Sequence, residues 1–229
     1  MKANTYNSKL SDLKMPFIIP KRGKGSAEVL ALCNILGYGR YNSIDYMSYL
    51  SAYSKNICDK NLPGRIAQGL VHDYKLKKID LDITFDYYLD RATPSFNPSF
   101  YELRCFYTAS YNLKDTAISM GVKVPIRIQQ AGFTGVGELT IEVTQPEYSF
   151  FEDILDDIQK NLDIKIYPLN CSADENIAQK VIDTGKTLKE YIVDINKVKV
   201  FRQMGTGGII KIKARDVYNM YNLESEIIW

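Results

Sequence analysis

The chemistry open to this chain is bounded by a single histidine, His72, in 229 residues. Ser-His-Asp and Cys-His nucleophilic sites both need an imidazole to take the nucleophile's proton, so each would depend on that one side chain. His72 falls on a short helix expected to open at Pro63, where it reads as a surface or partly buried residue, and no catalytic residue is assigned. The run Gly205-Thr206-Gly207-Gly208 lacks the Gly-Lys-Ser/Thr ending of a phosphate loop. It also precedes a strand, not the helix N-terminus that would favour phosphate, and a tight turn is the better reading.

Two further constellations carry charge. Asp80, Asp82 and Asp86 alternate with Ile79, Leu81, Ile83, Phe85 and Tyr87, which puts the carboxylates on one face of a strand. Solvent, a basic partner face or a bound Ca²⁺ or Mg²⁺ would each offset that row. A hard cation gathers oxygens from a concave loop or several elements, whereas a flat strand presents them in a line. Asp163-Ile164-Lys165 has the acid-x-Lys spacing that metal-dependent nucleases use, the acid holding metal and the lysine steadying the attacking water. Its partner acid should lie on an adjacent strand, but Glu138 and Glu142 are separated from it by an expected helix.

The opposite charge gathers near the C-terminus. Lys197, Lys199, Lys211, Lys213 and Arg215 alternate with Val198, Val200, Ile210, Ile212 and Ala214, and the four-residue Gly-Thr-Gly-Gly stretch lies between. The pattern predicts a hairpin over 197–217 with one apolar face and one row of cations. Those cations suit phosphates, with exposed tyrosines available to stack on bases; alternatively they face the Asp80–Asp82–Asp86 row.

Composition narrows the class. Lys plus Arg number 29 against 27 Asp plus Glu, a net charge of +2, so affinity for nucleic acid or an anionic surface would have to come from a local patch. Cys33, Cys58, Cys105 and Cys171 lack metal-ligand spacing and sit in or beside apolar runs as small buried hydrophobes, which suits a reducing compartment. The first residues contain no apolar signal core, and no run approaches the roughly 18 apolar residues of a membrane span. The expected location is the cytoplasm, or a particle assembled there, with no membrane partner.

The elements follow from local pattern. Residues 1–25 read as an extended arm, with Met15-Pro16-Phe17-Ile18-Ile19-Pro20 held out of helix by its prolines and a basic Lys21-Arg22-Gly23-Lys24-Gly25 link after it. Phe17 and Ile18 pack either on this chain's own core or on a neighbouring subunit. Residues 26–76 read as three helices: Val29, Leu30, Cys33 and Leu36 are at helical spacing, then Tyr46, Met47, Leu50 and Tyr53, then Ile66 and Leu70. Three successive helices raise a helix-turn-helix, although the connectors are long for one and only Arg65, Gln68 and His72 would read bases.

Residues 77–229 read as an α+β body. Val122–Ile128 and Leu139–Val143 form a hairpin with Lys123 and Arg127 facing Glu138 and Glu142, and Pro125, which has no N–H to give a ladder, places the first arm at an edge. Ser149-Phe150-Phe151-Glu152 and Ser172-Ala173-Asp174-Glu175 each open an amphipathic helix by a capping box. The apolar ending Ile227-Ile228-Trp229 should plug the core or enter a partner.

The expected fold is therefore α+β, an N-terminal helical segment packed with a mostly antiparallel sheet built from hairpins, plus two amphipathic helices. The expected function is a non-enzymatic structural or assembly subunit without a cofactor, a phage particle component being one such case. Phe17, Ile18 and Trp229 would meet its protein neighbours. A nucleic-acid-binding module using the basic hairpin and a metal-dependent hydrolase are the alternatives.

Overall fold

The computed structural model describes residues 6–23, 25–39, 44–92, 98–130, 133–161, 165–166, 199–216 and 222–229. Nine strands share one sheet: β1 (Tyr6–Pro20), β2 (Ser26–Gly39), β3 (Lys78–Ala92), β4 (Pro98–Asn112), β5 (Thr116–Gln130), β6 (Phe133–Thr144), β7 (Lys165–Ile166), β8 (Gly207–Asp216) and β9 (Asn222–Ile228). The order is β1-β2-β3-β4-β5-β6-β8-β9, with β7 paired to β5 off that path. Among the described residues four short helices accompany them: α1 (Tyr46–Ser51), α2 (Leu62–Asp73), α3 (Phe151–Asn161) and α4 (Lys199–Gln203).

The chain divides into two units that interleave in sequence. One comprises Met1–Asp86, Cys105–Met120 and Thr144–Phe150; the other comprises Tyr87–Arg104, Gly121–Val143 and Phe151–Trp229. The strands β3 to β6 each give a stretch to both.

The fold is thus mostly antiparallel sheet with few short helices, and the expected α+β arrangement with a helical segment over 26–76 is overturned. Ser26–Gly39 is a strand. It pairs with β1 from Tyr6↔Gly39 to Pro20↔Ser26 and with β3 from Leu32↔Thr84 to Tyr38↔Lys78. The helical spacing of Val29, Leu30, Cys33 and Leu36 misled because the run is apolar at both parities, so no period is unique to it. Pairing on both sides then chooses the strand, with Ala31, Cys33 and Ile35 buried and Leu30 and Leu32 exposed.

The expected arm is likewise a full strand. Met15, Phe17 and Ile19 are buried while Pro16, Ile18 and Pro20 are only half-buried, the period-two pattern of a strand with one covered face. The two prolines stand at Pro16↔Leu30 and Pro20↔Ser26 on a strand that starts the sheet order, where a missing N–H is tolerated. The basic link is the turn between β1 and β2, closed by Lys21 N–H to Gly25 O at 3.0 Å, with Gly23 and Gly25 at φ of 71° and 82°.

In the first unit the buried face of the sheet packs under α1 and α2. Asp45 caps α1 by accepting from the Ser48 N–H at 3.0 Å, and Pro63 lies in the first turn of α2 as expected. The Tyr46 hydroxyl meets Ser8 Oγ at 2.5 Å and lies where a Cβ on Gly37 would be, so the strand can carry only glycine beneath that ring. Gly64 on α2 is similarly close to Ile118 of β5, which lets helix and strand backbones approach. In the second unit Phe151, Ile154, Leu155 and Ile158 of α3, Phe201 of α4 and Ile210 and Ile212 of β8 are buried together with Val122, Leu139 and Ile141.

β5 is not the edge strand that Pro125 suggested, since β4 and β6 flank it in the strand order. Pro125 stands just before Ile126 and Arg127, the two residues that pair with Ile166 and Lys165 of β7, and is exposed there. Its missing N–H therefore falls beside a change of ladder partner. The expected helix after Ser172 and the residues Asp163, Cys171 and Lys197 lie outside the described residues.

Candidate functional site

The hairpin expected over 197–217 is overturned: its first arm is helical over Lys199–Gln203, and β8 pairs with β9 downstream instead. Lys199 opens this helix, α4, whose Phe201 is fully buried. The register runs Ile209↔Ile228, Lys211↔Glu226, Lys213↔Glu224 and Arg215↔Asn222. Lys211 Nζ lies 2.9 Å from Glu224 Oε1 and 3.2 Å from Glu226 Oε2, and Lys213 Nζ lies 3.4 Å from Glu224. These bonds raise the Lys211 pKa and lower that of Glu224, first through their shared hydrogen bond. Two of the cations offered to phosphate are thus answered by glutamates of the next strand. Arg215 remains exposed at the far end.

The acidic strand has its own partners too. Lys78 Nζ sits 2.9 Å from both oxygens of Asp80 and 5.3 Å from the Tyr38 ring centre. Asp82 Oδ1 accepts from Thr84 Oγ1 at 2.9 Å and, at a long 3.5 Å, from Asn34 Nδ2. Asp86 is exposed and engaged elsewhere. Among the described residues no three His, Cys, Asp or Glu side chains gather as metal ligands would, so Asp80, Asp82 and Asp86 form a line and not a cage.

Of the acid-x-Lys element only Lys165 is described, Asp163 lying outside the described residues. Lys165 pairs with Arg127 of β5, and Glu138 and Glu142 belong to β6. His72 is exposed on α2, with Nε2 at 3.4 Å from the Tyr111 hydroxyl and the two rings tilted at 6.1 Å.

The three residues expected at a protein interface divide. Phe17 is 1% exposed and belongs to this chain's core, whereas Ile18 is half-buried on the other face. Trp229 exchanges two backbone hydrogen bonds of 3.1 Å with Gly208 and lays its ring over that glycine, with its buried indole N–H unpaired.

Sequence reasoning missed an apolar strip on the first unit. Ile57 bridges Ile18, Pro16 stands opposite Leu30, and Leu32 follows on the same face of β2. Ile57 and Leu30 are each 60% exposed and Leu32 37%. The signal was present once Ser26–Gly39 is taken as a strand, because Leu30 and Leu32 then fall opposite the buried parity. Among the described residues no helix is long and apolar enough to cross a membrane. No family model matches the chain, and no curated protein matches it.

Proposed function

We propose that this protein is a non-enzymatic structural subunit that assembles through the outer face of β1 and β2. The observation that carries this reading is the row Ile57, Ile18, Pro16, Leu30 and Leu32, in which Ile57, Leu30 and Leu32 are exposed apolar side chains, with the charges of Glu28 opposite Ile18 and Lys14 opposite Leu32 on the same face. Contiguous apolar surface on a folded protein marks interaction sites, and a strip at a sheet edge is readily buried by its own copy across a twofold axis. The neighbour we assign is accordingly a second copy of the chain. The paired charges of β8 and β9 and the dispersed titratable groups give chemistry no comparable support.

Sedimentation equilibrium tests the reading. The wild-type chain is expected to self-associate reversibly, and Leu30→Lys with Leu32→Lys to sediment as a folded monomer. Deleting residues 1–25 is no test, since it removes the buried Met15, Phe17 and Ile19. A wild-type chain that stays monomeric at every attainable concentration, or a double variant that associates as before, ends the proposal.

A further inference from the structure

Further along the same face of the first unit, past Leu32 on β2, the sheet sinks into a groove of about 420 Å³, within the roughly 300–1,000 Å³ range of small-molecule sites. The depression arises from residue size, since Ser110 on β4, Ala117 and Ser119 on β5 and Thr144 at the end of β6 are all short. Its lining comes from six consecutive strands, β1 to β6, so at about 4.8 Å per strand it reaches up to about 24 Å across the sheet. Spread over that length, the volume leaves a mean cross-section of about 18 Å², close to that of one extended polymethylene chain.

What the groove exposes is chiefly carbon, and its polar side chains are largely bonded among themselves. Ser119 Oγ meets Thr144 Oγ1 at 3.2 Å, Asn34 Oδ1 accepts the Asp12 N–H at 3.0 Å, and Asp82 Oδ1 accepts from Thr84 Oγ1 at 2.9 Å. The body of a ligand is therefore selected by apolar area and not by hydroxyl or amide groups. Charge singles out one end. Asp80 is held by Lys78 at 2.9 Å, whereas Lys9, on the strand that begins the sheet, is exposed and has no ion pair among the described residues. The register sets Lys9 opposite Leu36 and Leu36 opposite Asp80, with Asn34 opposite Asp82 one step further along the same face. Asp82 is then two strands and two residues from Lys9, roughly 12 Å by strand spacing, and beyond the screening length of about 8 Å in physiological salt. An anionic head at Lys9 meets its complement at contact distance, while the carboxylate that opposes it is screened.

We propose that this groove binds one long-chain fatty acid, its carboxylate on Lys9 and its acyl chain laid across β2 to β6. With bonds of about 1.5 Å an extended chain advances about 1.25 Å per carbon, so roughly 16–18 carbons match the length of the groove. Charge complementarity at one end and an apolar body whose polar groups are already satisfied commit the site to this class. The exposed Leu30 and Leu32 take no part in it, so this site and self-assembly can fail separately.

Amide NMR titration of the intact chain with laurate, palmitate and oleate below their critical micelle concentrations tests it, with dodecylamine as the cationic counterpart. Palmitate and oleate are expected to shift the amides around Lys9, Leu36, Ala117 and Thr144 saturably, at one molecule per chain. Lys9 is exposed, so Lys9→Glu is expected to fold normally and to weaken both acids about tenfold, a charge-assisted contact being exchanged for repulsion. Ala117 is exposed as well, and Ala117→Phe is expected to fill the groove and abolish binding. Leu30→Lys with Leu32→Lys is expected to keep the binding while self-association is lost, which separates the two readings. Four outcomes overturn the proposal: neither long acid shifts these amides, the shifts centre on Leu30 and Leu32 instead, dodecylamine binds more tightly than laurate, or Lys9→Glu or Ala117→Phe retains the wild-type affinity.

Discussion

The Tyr87 hydroxyl donates to Glu152 Oε1 at 2.6 Å inside the second unit, and Oε2 of the same carboxylate is buried without a partner. Glu152 is 5% exposed, and the Tyr87 and Phe151 rings lie 6.3 Å apart beside it. The glutamate expected to close a capping box on Ser149 is therefore spent on a cross-element bond. Removing the donor strands a buried acceptor, so Tyr87→Phe should lower stability by about 1–3 kcal/mol. Replacing both polar partners, Tyr87→Phe with Glu152→Met, should recover part of that loss. Urea denaturation of the four proteins measures the coupling; strictly additive effects would count against the bond.

Trp229 is the sole tryptophan, so intrinsic fluorescence reports on its seat over Gly208. A Cβ at position 208 would collide with the Trp229 ring and with the Glu142 carbonyl. Gly208→Ala is expected to cost about 1–3 kcal/mol by overpacking and to shift the emission to the red as the indole is pushed into water. An unchanged spectrum would show that the ring does not rest there.

Burial pushes the Cys33 thiol up to about 12 from its ordinary 9.0, with Asp82 adding to the effect, and burial raises Cys58 in the same direction. A raised folded pKa keeps the proton on the native thiol after the unfolded one has lost it. Stability is then intact below the unfolded value near 9.0 and falls as pH rises above it, by at most about 1.4 kcal/mol per pH unit per thiol. Urea midpoints should decline through the alkaline range, and less steeply in Cys33→Ala. At neutral pH, Cys33, Cys58 and Cys105 should resist iodoacetamide until the chain unfolds, as peptide mass mapping will reveal.

The pairing of Lys211 with Glu224 and Glu226 sets the charge the hairpin shows to its surroundings. Glu224→Gln with Glu226→Gln should make the protein elute later from heparin at neutral pH, because Lys211 and Lys213 then face solvent uncompensated. Since the Glu224 pKa is lowered, its pairing is complete above the ordinary value of 4.5 and lost as pH falls through the lower folded value. Protection of the β9 amides, taken relative to the intrinsic exchange rate at each pH, should fall on that acid side only. Equal heparin retention by both proteins would mean the glutamates do not mask the lysines.

Much of this structure was readable from local pattern. Ile79, Leu81, Ile83, Phe85 and Tyr87 are buried as their alternation requires, and Phe151, Ile154, Leu155 and Ile158 form the inner stripe of α3. In both runs the opposite face is polar, so only one period fits and no distant contact is needed to choose it. Pro63 likewise sits in the first turn of α2, since its ring and missing N–H suit that place.

Other features were settled by contacts remote in sequence. Residues 29–33 are apolar at both parities, and β1 and β3 decide between helix and strand by supplying ladders on each side. That choice in turn exposes Leu30 and Leu32. Lys199 and Val200 alternate for too few residues to hold a strand, and the buried Phe201 draws them into α4. The partner of each charge row is also a matter of register: Lys78, two residues away, answers Asp80, and Glu224 and Glu226 answer Lys211. Periodicity tells which side chains share a face; only the pairing of distant strands tells what that face meets, because hydrogen-bonded ladders join backbones whatever their side chains.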